Sequence, residues 1–299
     1  MTTRIGRSLV PDSRRQWYNR NCPHFTPYSF GHRSMLINLL YHDVTPAGHE
    51  DDSGFSGPGA ARYKLTPAEF QSHLERIAKT TRRSPLTSTS PEELASTNQP
   101  QWTITFDDGG LSALTEIADK LERYGWRGWF FMATDFIGQP TFCSREQILE
   151  LHQRGHVIGS HSCSHPERIS SCSREQLVDE WTRSCRVLEE IIQSPVTTAS
   201  VPGGFYSKDV ARAAVAAGIR VLFNSEPTTK PHHVENALIL GRYNVYCGMS
   251  ADNAASLVKS PLRRWRQAAF WNMKKVAKVV AGPTYKAIRQ RILARNFPE

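Results

Sequence analysis

Short apolar runs alternate with helical patterns along most of this 299-residue chain, and this alternation constrains the fold more than any other feature. Ser or Thr residues that can cap a helix begin several of the helical patterns, and glycines end them. Regular strand–helix alternation predicts an α/β fold with a parallel sheet. Seven strand candidates favour a closed or nearly closed (β/α) barrel over an open doubly wound sheet. The seven runs are residues 35–41, 102–106, 129–132, 157–158, 198–201, 220–223 and 237–240.

Positive charge is concentrated at the C-terminal end of the chain. The net charge is +9, yet residues 259–299 contain eleven Lys and Arg with one acid, against 26 basic and 27 acidic residues in 1–258. Apolar residues recur in this tail at helical spacing, which predicts basic amphipathic helices that either pack on the barrel or lie on an anionic membrane. The predicted organisation is an N-terminal extension (1–34), a barrel (35–258) and a basic helical tail (259–299).

The remaining composition narrows the function classes and the compartment. Six scattered cysteines form no Cys-x-x-Cys pair, which argues against a zinc ribbon and a dense disulfide framework. The N-terminus has no apolar segment of a signal peptide, and no run reaches membrane-spanning length. We therefore expect a cytoplasmic protein, with peripheral contact at the inner membrane face through the tail. Nucleic-acid binding is disfavoured, because the main body is near neutral and the tail carries no reader motif.

The apolar run 102–106 ends in two adjacent carboxylates, Asp107 and Asp108, followed by Gly109 and Gly110. Adjacent carboxylates in a poorly solvated place repel each other, and they need a cation, a proton or hydrogen-bond donors. Asp-Asp-Gly is also ordinary turn chemistry, so this string alone leaves a turn and a functional site equally open.

A second polar cluster follows another short apolar run and contains His161 and His165. Histidines at i and i+4 can project to one face of a helical turn and bind one metal ion. Both clusters would lie at the C-terminal ends of strands, where parallel α/β folds place their chemistry. Together the acidic pair and the two histidines predict a metal site.

Both motifs resemble those of the polysaccharide deacetylases, also called NodB-homology enzymes. Residues 105–109 are similar to the first motif of that family and residues 161–165 to the second, and the likeness covers roughly residues 35–245. The resemblance implies a distorted (β/α) barrel and a divalent metal, commonly zinc in this family, bound by Asp108, His161 and His165. It implies that Asp107 is the general base that deprotonates the attacking water. It also implies that the N–H of Gly203, in the third motif, stabilises an oxyanion.

The later motifs depart from the family pattern. Ser200 stands where many members have an arginine that orients the base, and residues 223–226 lack the tryptophan of a fourth motif. The last predicted strand offers no histidine as general acid, but Arg242 follows it and could instead orient Asp107 or stabilise the oxyanion. His232 and His233 are the candidates for the acid. His42, at the end of the first strand, either contributes to the site or packs under its rim.

The leading functional hypothesis is a metal-dependent hydrolase that removes an acetyl group from an N-acetylated sugar or glycan. In a cytoplasmic setting, a lipid-linked glycan intermediate would suit it better than mature polymer. Two alternatives stay open: a catalytically degenerate barrel that binds carbohydrate, and a hydrolase of small amides on the same fold.

Overall fold

The computed structural model describes residues 35–95 and 99–273, which form a curled sheet with helices packed against it. The described residues contain nine strands, two more than the sequence predicts. They are β1 (Leu36–Tyr41), β2 (Gln101–Phe106), β3 (Trp129–Met132), β4 (Val157–Ser160), β5 (Thr198–Ser200), β6 (Val221–Phe223), β7 (His232–Val234), β8 (Ala237–Leu240) and β9 (Tyr243–Asn244).

Helices follow most of the strands, as the alternation predicts. Thr66, Ser144 and Ser173 each cap a helix through a reciprocal capping box, which confirms the prediction that Ser or Thr residues begin several of the helices. The helices are α1 (Pro58–Ala61), α2 (Pro67–Thr80), α3 (Pro91–Ala95), α4 (Asp119–Glu122), α5 (Arg145–Gln153), α6 (Arg174–Ile192), α7 (Lys208–Ala216), α8 (Ala251–Lys259) and α9 (residues 261–273). A π-helix (Ala113–Ala118) and 3₁₀ turns (Glu50–Asp52, Thr134–Phe136, Ile169–Ser171, Pro202–Gly204) complete the set.

The strand order is β7-β8-β6-β5-β4-β3-β2-β1-β9, and every neighbouring pair is parallel except β7 and β8. The predicted barrel class is confirmed, but the described strands form a curled sheet with two edges. The structure has two strands beyond the seven candidates, because the histidines of β7 are exposed and β9 is only two residues long. Neither segment forms an apolar run that the sequence pattern could indicate.

The chain crosses from one side of the sheet to the other between β8 and β9. β8 lies beside the β7 edge, whereas β9 is the opposite edge and pairs with β1. The carbonyl of Gly241, in the crossing, accepts a hydrogen bond from Asn38 of β1 at 2.8 Å. Arg242, the next residue, is fully buried. The crossing therefore carries a guanidinium group into the interior of the barrel.

A small apolar cluster forms the floor beneath this guanidinium. The Arg242 side chain lies 5.9 Å from the ring centres of both Phe131 and Phe223. A larger cluster fills the space between sheet and helices. The floor comprises the buried residues Leu36, Leu94, Trp129, Phe131, Val221, Phe223, Leu238 and Leu240.

The predicted extension 1–34 lies outside the described residues, and so does the tail beyond 273. Where the chain is described, none of its helices combines the length and apolarity needed to cross a bilayer.

Candidate metal centre

The acidic motif lies at the end of β2, where the chain turns sharply. Asp108 has a φ of 78° and Gly109 one of 83°, so two successive residues adopt left-handed backbone. A Cβ atom on Gly109 would stand 2.7 Å from the sulfur of Met132, so both its backbone and its surroundings require glycine. This turn separates the two carboxylates: Asp107 continues into the barrel interior and Asp108 reaches the histidines of the second motif.

The histidine motif follows β4, but the expected helical turn was wrong. No helix is assigned at residues 161–165, and Ser162 and His165 have left-handed φ values of 64° and 49°. The two imidazole rings still meet, with their centres 5.1 Å apart. The two imidazoles are thus brought together by the end of a strand and a left-handed turn, and not by the i, i+4 spacing of a helix.

Asp108, His161 and His165 form a cluster that could hold a metal ion. One ligand atom from each lies within 4.8 Å of the others. Asp108 Oδ1 is 3.4 Å from Nε2 of His161 and 3.6 Å from Nε2 of His165. The other ring nitrogen of His161 donates a hydrogen bond to the carbonyl of Ser200 at 2.9 Å. This bond directs the Nε2 lone pair of His161 towards Asp108, as in zinc sites of one carboxylate and two imidazoles.

Asp107 is held by the guanidinium of Arg242 from the β8–β9 crossing. Two parallel bonds of 2.7 and 2.8 Å join Arg242 to the two carboxylate oxygens of Asp107. Ser200 donates to Asp107 at 3.0 Å and accepts from Arg242 at 2.6 Å. A short side chain at position 200 therefore leaves room for an arginine that arrives from another part of the sheet. Asp107 is buried, but its carboxylate is fully paired.

Charges in the site determine how its carboxylates titrate. Burial acts to raise the pKa of Asp107, but Arg242 and then His161 outweigh it, so this pKa lies below its usual value. Burial likewise opposes ionisation of Asp108, yet the hydrogen bond with His161 and the charges of His42 and His165 hold its pKa below the usual value. Both groups are therefore carboxylates at neutral pH, as a metal ligand and a proton acceptor must be.

The structure places His42 beside the site, whereas the sequence left open whether it contributes to the site or packs under its rim. Tyr41 pairs with Phe106, so His42 and Asp107 leave adjacent strands side by side. The Nδ1 atom of His42 is buried and has no hydrogen-bond partner among the described residues. Its ring lies 4.8 Å from that of Tyr63. The sequence signal was the position of His42 directly after the first strand, but only the pairing of β1 with β2 assigns it to the site.

The other histidine candidates lie elsewhere. His232 and His233 are exposed on the short strand β7, at the edge of the sheet. The Nε2 atom of His232 is 3.1 Å from the hydroxyl of Tyr206. Gly203 lies in the 3₁₀ turn after β5, is exposed and has a φ of 58°. Its role as an oxyanion donor stays a prediction.

An aromatic loop that no sequence pattern indicated borders the site. The ring of Phe55 lies 4.6 Å from that of His165 and contacts Phe136 and Phe142 edge-on. The buried ammonium of Lys64 holds this loop by bonding the carbonyls of three residues, Glu50, Ser53 and Phe55. One wall beside His165 is thus apolar and fixed in place.

Comparisons with known proteins support the resemblance to the polysaccharide deacetylases. Residues 95–222 match the family model described as polysaccharide deacetylase. The Bacillus subtilis protein YxkH, whose name refers to the same family, is 27% identical over 157 residues, covering 52% of this chain and 56% of that protein. The peptidoglycan-N-acetylglucosamine deacetylase PgdA of Listeria monocytogenes is 27% identical over 156 residues, 52% of this chain and 32% of PgdA.

A solved structure shows the same fold. A polysaccharide deacetylase from Bacillus cereus superimposes with a TM-score of 0.63 at 18% identity, covering 75% of this chain and 69% of that one. The chain spans about half the length of YxkH and about a third of PgdA. The matched region contains Asp107, Asp108, His161 and His165. Residues 95–222, with both motifs of the site, match the polysaccharide deacetylase model, which confirms the resemblance to that family.

Proposed function

We propose that this protein is a metal-dependent hydrolase that removes the acetyl group from an N-acetylated sugar or glycan. One observation carries the proposal: a cluster of one carboxylate and two imidazoles lies beside a second carboxylate that is held by an arginine. Nearby carboxylates with separate partners can take separate tasks, one binding a cation and the other accepting a proton.

Asp108, His161 and His165 would hold a divalent cation, and the donor set suits zinc. When bound, such a cation supplies a Lewis acid for the acetamide carbonyl and lowers the pKa of water. Asp107 would take the proton from the attacking water as its oxygen bonds to the carbonyl carbon. His42 would deliver a proton to the nitrogen as the carbon–nitrogen bond breaks, leaving acetate and a free amine.

The relatives support a glycan as the substrate. PgdA is named for N-acetylglucosamine in peptidoglycan, and the hydrolysed bond there is an acetamide. A polymer, an oligosaccharide and a lipid-linked glycan all present this group. The fixed apolar wall formed by Phe55 beside His165 would suit the methyl group or the apolar face of such a sugar.

An assay of acetate release tests the proposal. Metal-free protein is loaded with Zn²⁺ and incubated with N-acetylglucosamine oligomers, with unloaded protein as the control. We expect acetate to form only after loading. Zinc binding with no release from any glycan would favour the carbohydrate-binding barrel, and release only from small N-acylated compounds would favour the amide hydrolase.

We also propose that α9 contacts an anionic membrane, where a lipid-linked glycan would lie. Leu262, Trp265 and Met273 are each more than half exposed, and residues 259–273 contain four basic residues and no acid. Substituting all three apolar residues by Ser is expected to weaken sedimentation with phosphatidylglycerol vesicles at least about tenfold. The cytoplasmic location stays a prediction.

A variant that removes two positive charges separates the electrostatic contribution to membrane binding from the apolar one. Lys259→Gln with Arg266→Gln is expected to weaken binding to phosphatidylglycerol vesicles but to leave binding to phosphatidylcholine vesicles unchanged. Equal sedimentation of the Ser variant and the wild-type protein would contradict the contact.

A further inference from the structure

The turn that carries both ligand histidines has a backbone shape that needs outside support. Ser162 and His165 are left-handed, a conformation that costs about 1–2 kcal/mol for each residue other than glycine. The turn itself is not helical, and the next helical segment begins at Ile169. Something outside the turn must therefore hold the imidazoles at the observed spacing.

Glu180, on α6, binds this turn directly. One carboxylate oxygen accepts the backbone N–H groups of Cys163 at 2.8 Å and Ser164 at 2.9 Å. The other accepts the hydroxyl of Ser164 at 2.6 Å. Glu180 is 9% exposed, and hydrogen bonds to an ionised acceptor are about twice as strong as neutral ones. Three such bonds fix the middle of the turn from a single side chain.

A second residue on the same face of α6 holds the beginning of the turn. Ser184 lies one helical turn after Glu180, and its hydroxyl is 2.7 Å from that of Ser160. Ser160 in turn accepts the backbone N–H of Ser162 at 3.1 Å. The helix is itself immobilised, because Trp181 between the two is fully buried. Two residues on one face of α6 thus hold the segment between the two histidines through hydrogen bonds.

We infer that Glu180 is a positioning residue that presets the histidine turn and thereby determines how tightly the site binds its metal. Glu180 lies outside the cluster of Asp108, His161 and His165, so it acts through the backbone between the histidines. The inference rests on the proposed metal-dependent function. A role confined to fold stability would leave the metal affinity of the folded protein unchanged.

The test measures zinc affinity of the full chain by competition with a chromophoric chelator. Glu180→Ala is expected to weaken zinc binding by about 10–100-fold, the usual effect of losing a residue that orients metal ligands. Glu180→Gln is expected to stay within about fivefold of wild type, because the amide oxygen can accept both N–H groups and its NH₂ can donate to Ser164 Oγ. Glu190→Gln, an exposed change on the same helix, is the matched control and is expected to have no effect.

Each result of the zinc-affinity measurements decides a different claim. Wild-type affinity in a folded Glu180→Ala protein overturns the inference and leaves the proposed function intact. Equal losses in Glu180→Ala and Glu180→Gln overturn positioning in favour of a charge effect. Should Glu180→Ala fail to fold, Ser164→Ala removes one of the three bonds and is expected to cause a smaller but measurable loss. Wild-type protein that binds no zinc refutes the proposed function, and this inference with it.

Discussion

Asp107→Asn is expected to lower kcat/KM for acetate release by about 10²–10⁴-fold, the usual contribution of a general base. The amide keeps the shape of the carboxylate but cannot accept a proton near neutral pH. Zinc affinity is expected to change little, because Asp107 lies outside the cluster of ligands. Arg242 would still bond to Ser200 and to the carbonyl of Asn224 but would lose its charged partner, so we expect the variant to fold with a free energy of unfolding lower by a few kcal/mol.

The measurement is steady-state acetate release, normalised to zinc content. Asp119→Asn makes the same chemical change at an exposed position in α4 and is the matched control. Turnover by the Asp107→Asn variant at the wild-type rate would show that Asp107 is not the general base. Loss of zinc together with turnover would instead assign Asp107 to the metal.

Arg242→Met is expected to destabilise the fold by about 3–5 kcal/mol, because it leaves the buried carboxylate of Asp107 without its charged partner. The substitution is also expected to shift the pH profile of kcat/KM for acetate release. Arg242 holds the pKa of Asp107 below its usual value against burial, which acts to raise it. Without the guanidinium the pKa rises, so Asp107 becomes protonated at higher pH and the acidic limb of kcat/KM moves to higher pH.

Chemical denaturation and a pH series measure these two effects. The double variant Arg242→Met with Asp107→Asn removes both charges, and it is expected to recover part of the lost stability. A free energy of unfolding within about 1 kcal/mol of wild type for Arg242→Met would contradict the account of the pair. An unchanged acidic limb would show that Asp107 does not set it.

Local sequence patterns predicted much of this fold because most elements carry complete local signals. The capped helices at Thr66, Ser144 and Ser173 begin where a hydroxyl residue and a Glu or Gln three positions later stand together. The strand at Trp129–Met132 is unbroken and apolar because it is buried on both faces. The family match confirms the resemblance that the two motifs suggested.

Features that depend on distant partners could not be predicted in the same way. Glu180 looks like any acidic residue of an amphipathic helix until the fold places it against the turn 17 residues earlier. His42 gains its place only from the pairing of β1 with β2. The left-handed turn at Ser162 and His165 contradicts the helical spacing of its histidines, since tertiary bonds rather than local propensity determine its shape.

The arginine at the β8–β9 crossing makes the chemistry of the site depend on the last crossing of the sheet. The candidate ligands, and Glu180 and Ser200 that hold them, lie on segments up to β5, whereas the guanidinium partner of Asp107 comes from Arg242, directly after Gly241. A sheet that lacks this crossing would therefore keep the candidate ligands but leave Asp107 without its guanidinium partner. Acetate release by this protein should therefore be a better measure of a complete sheet than its metal content.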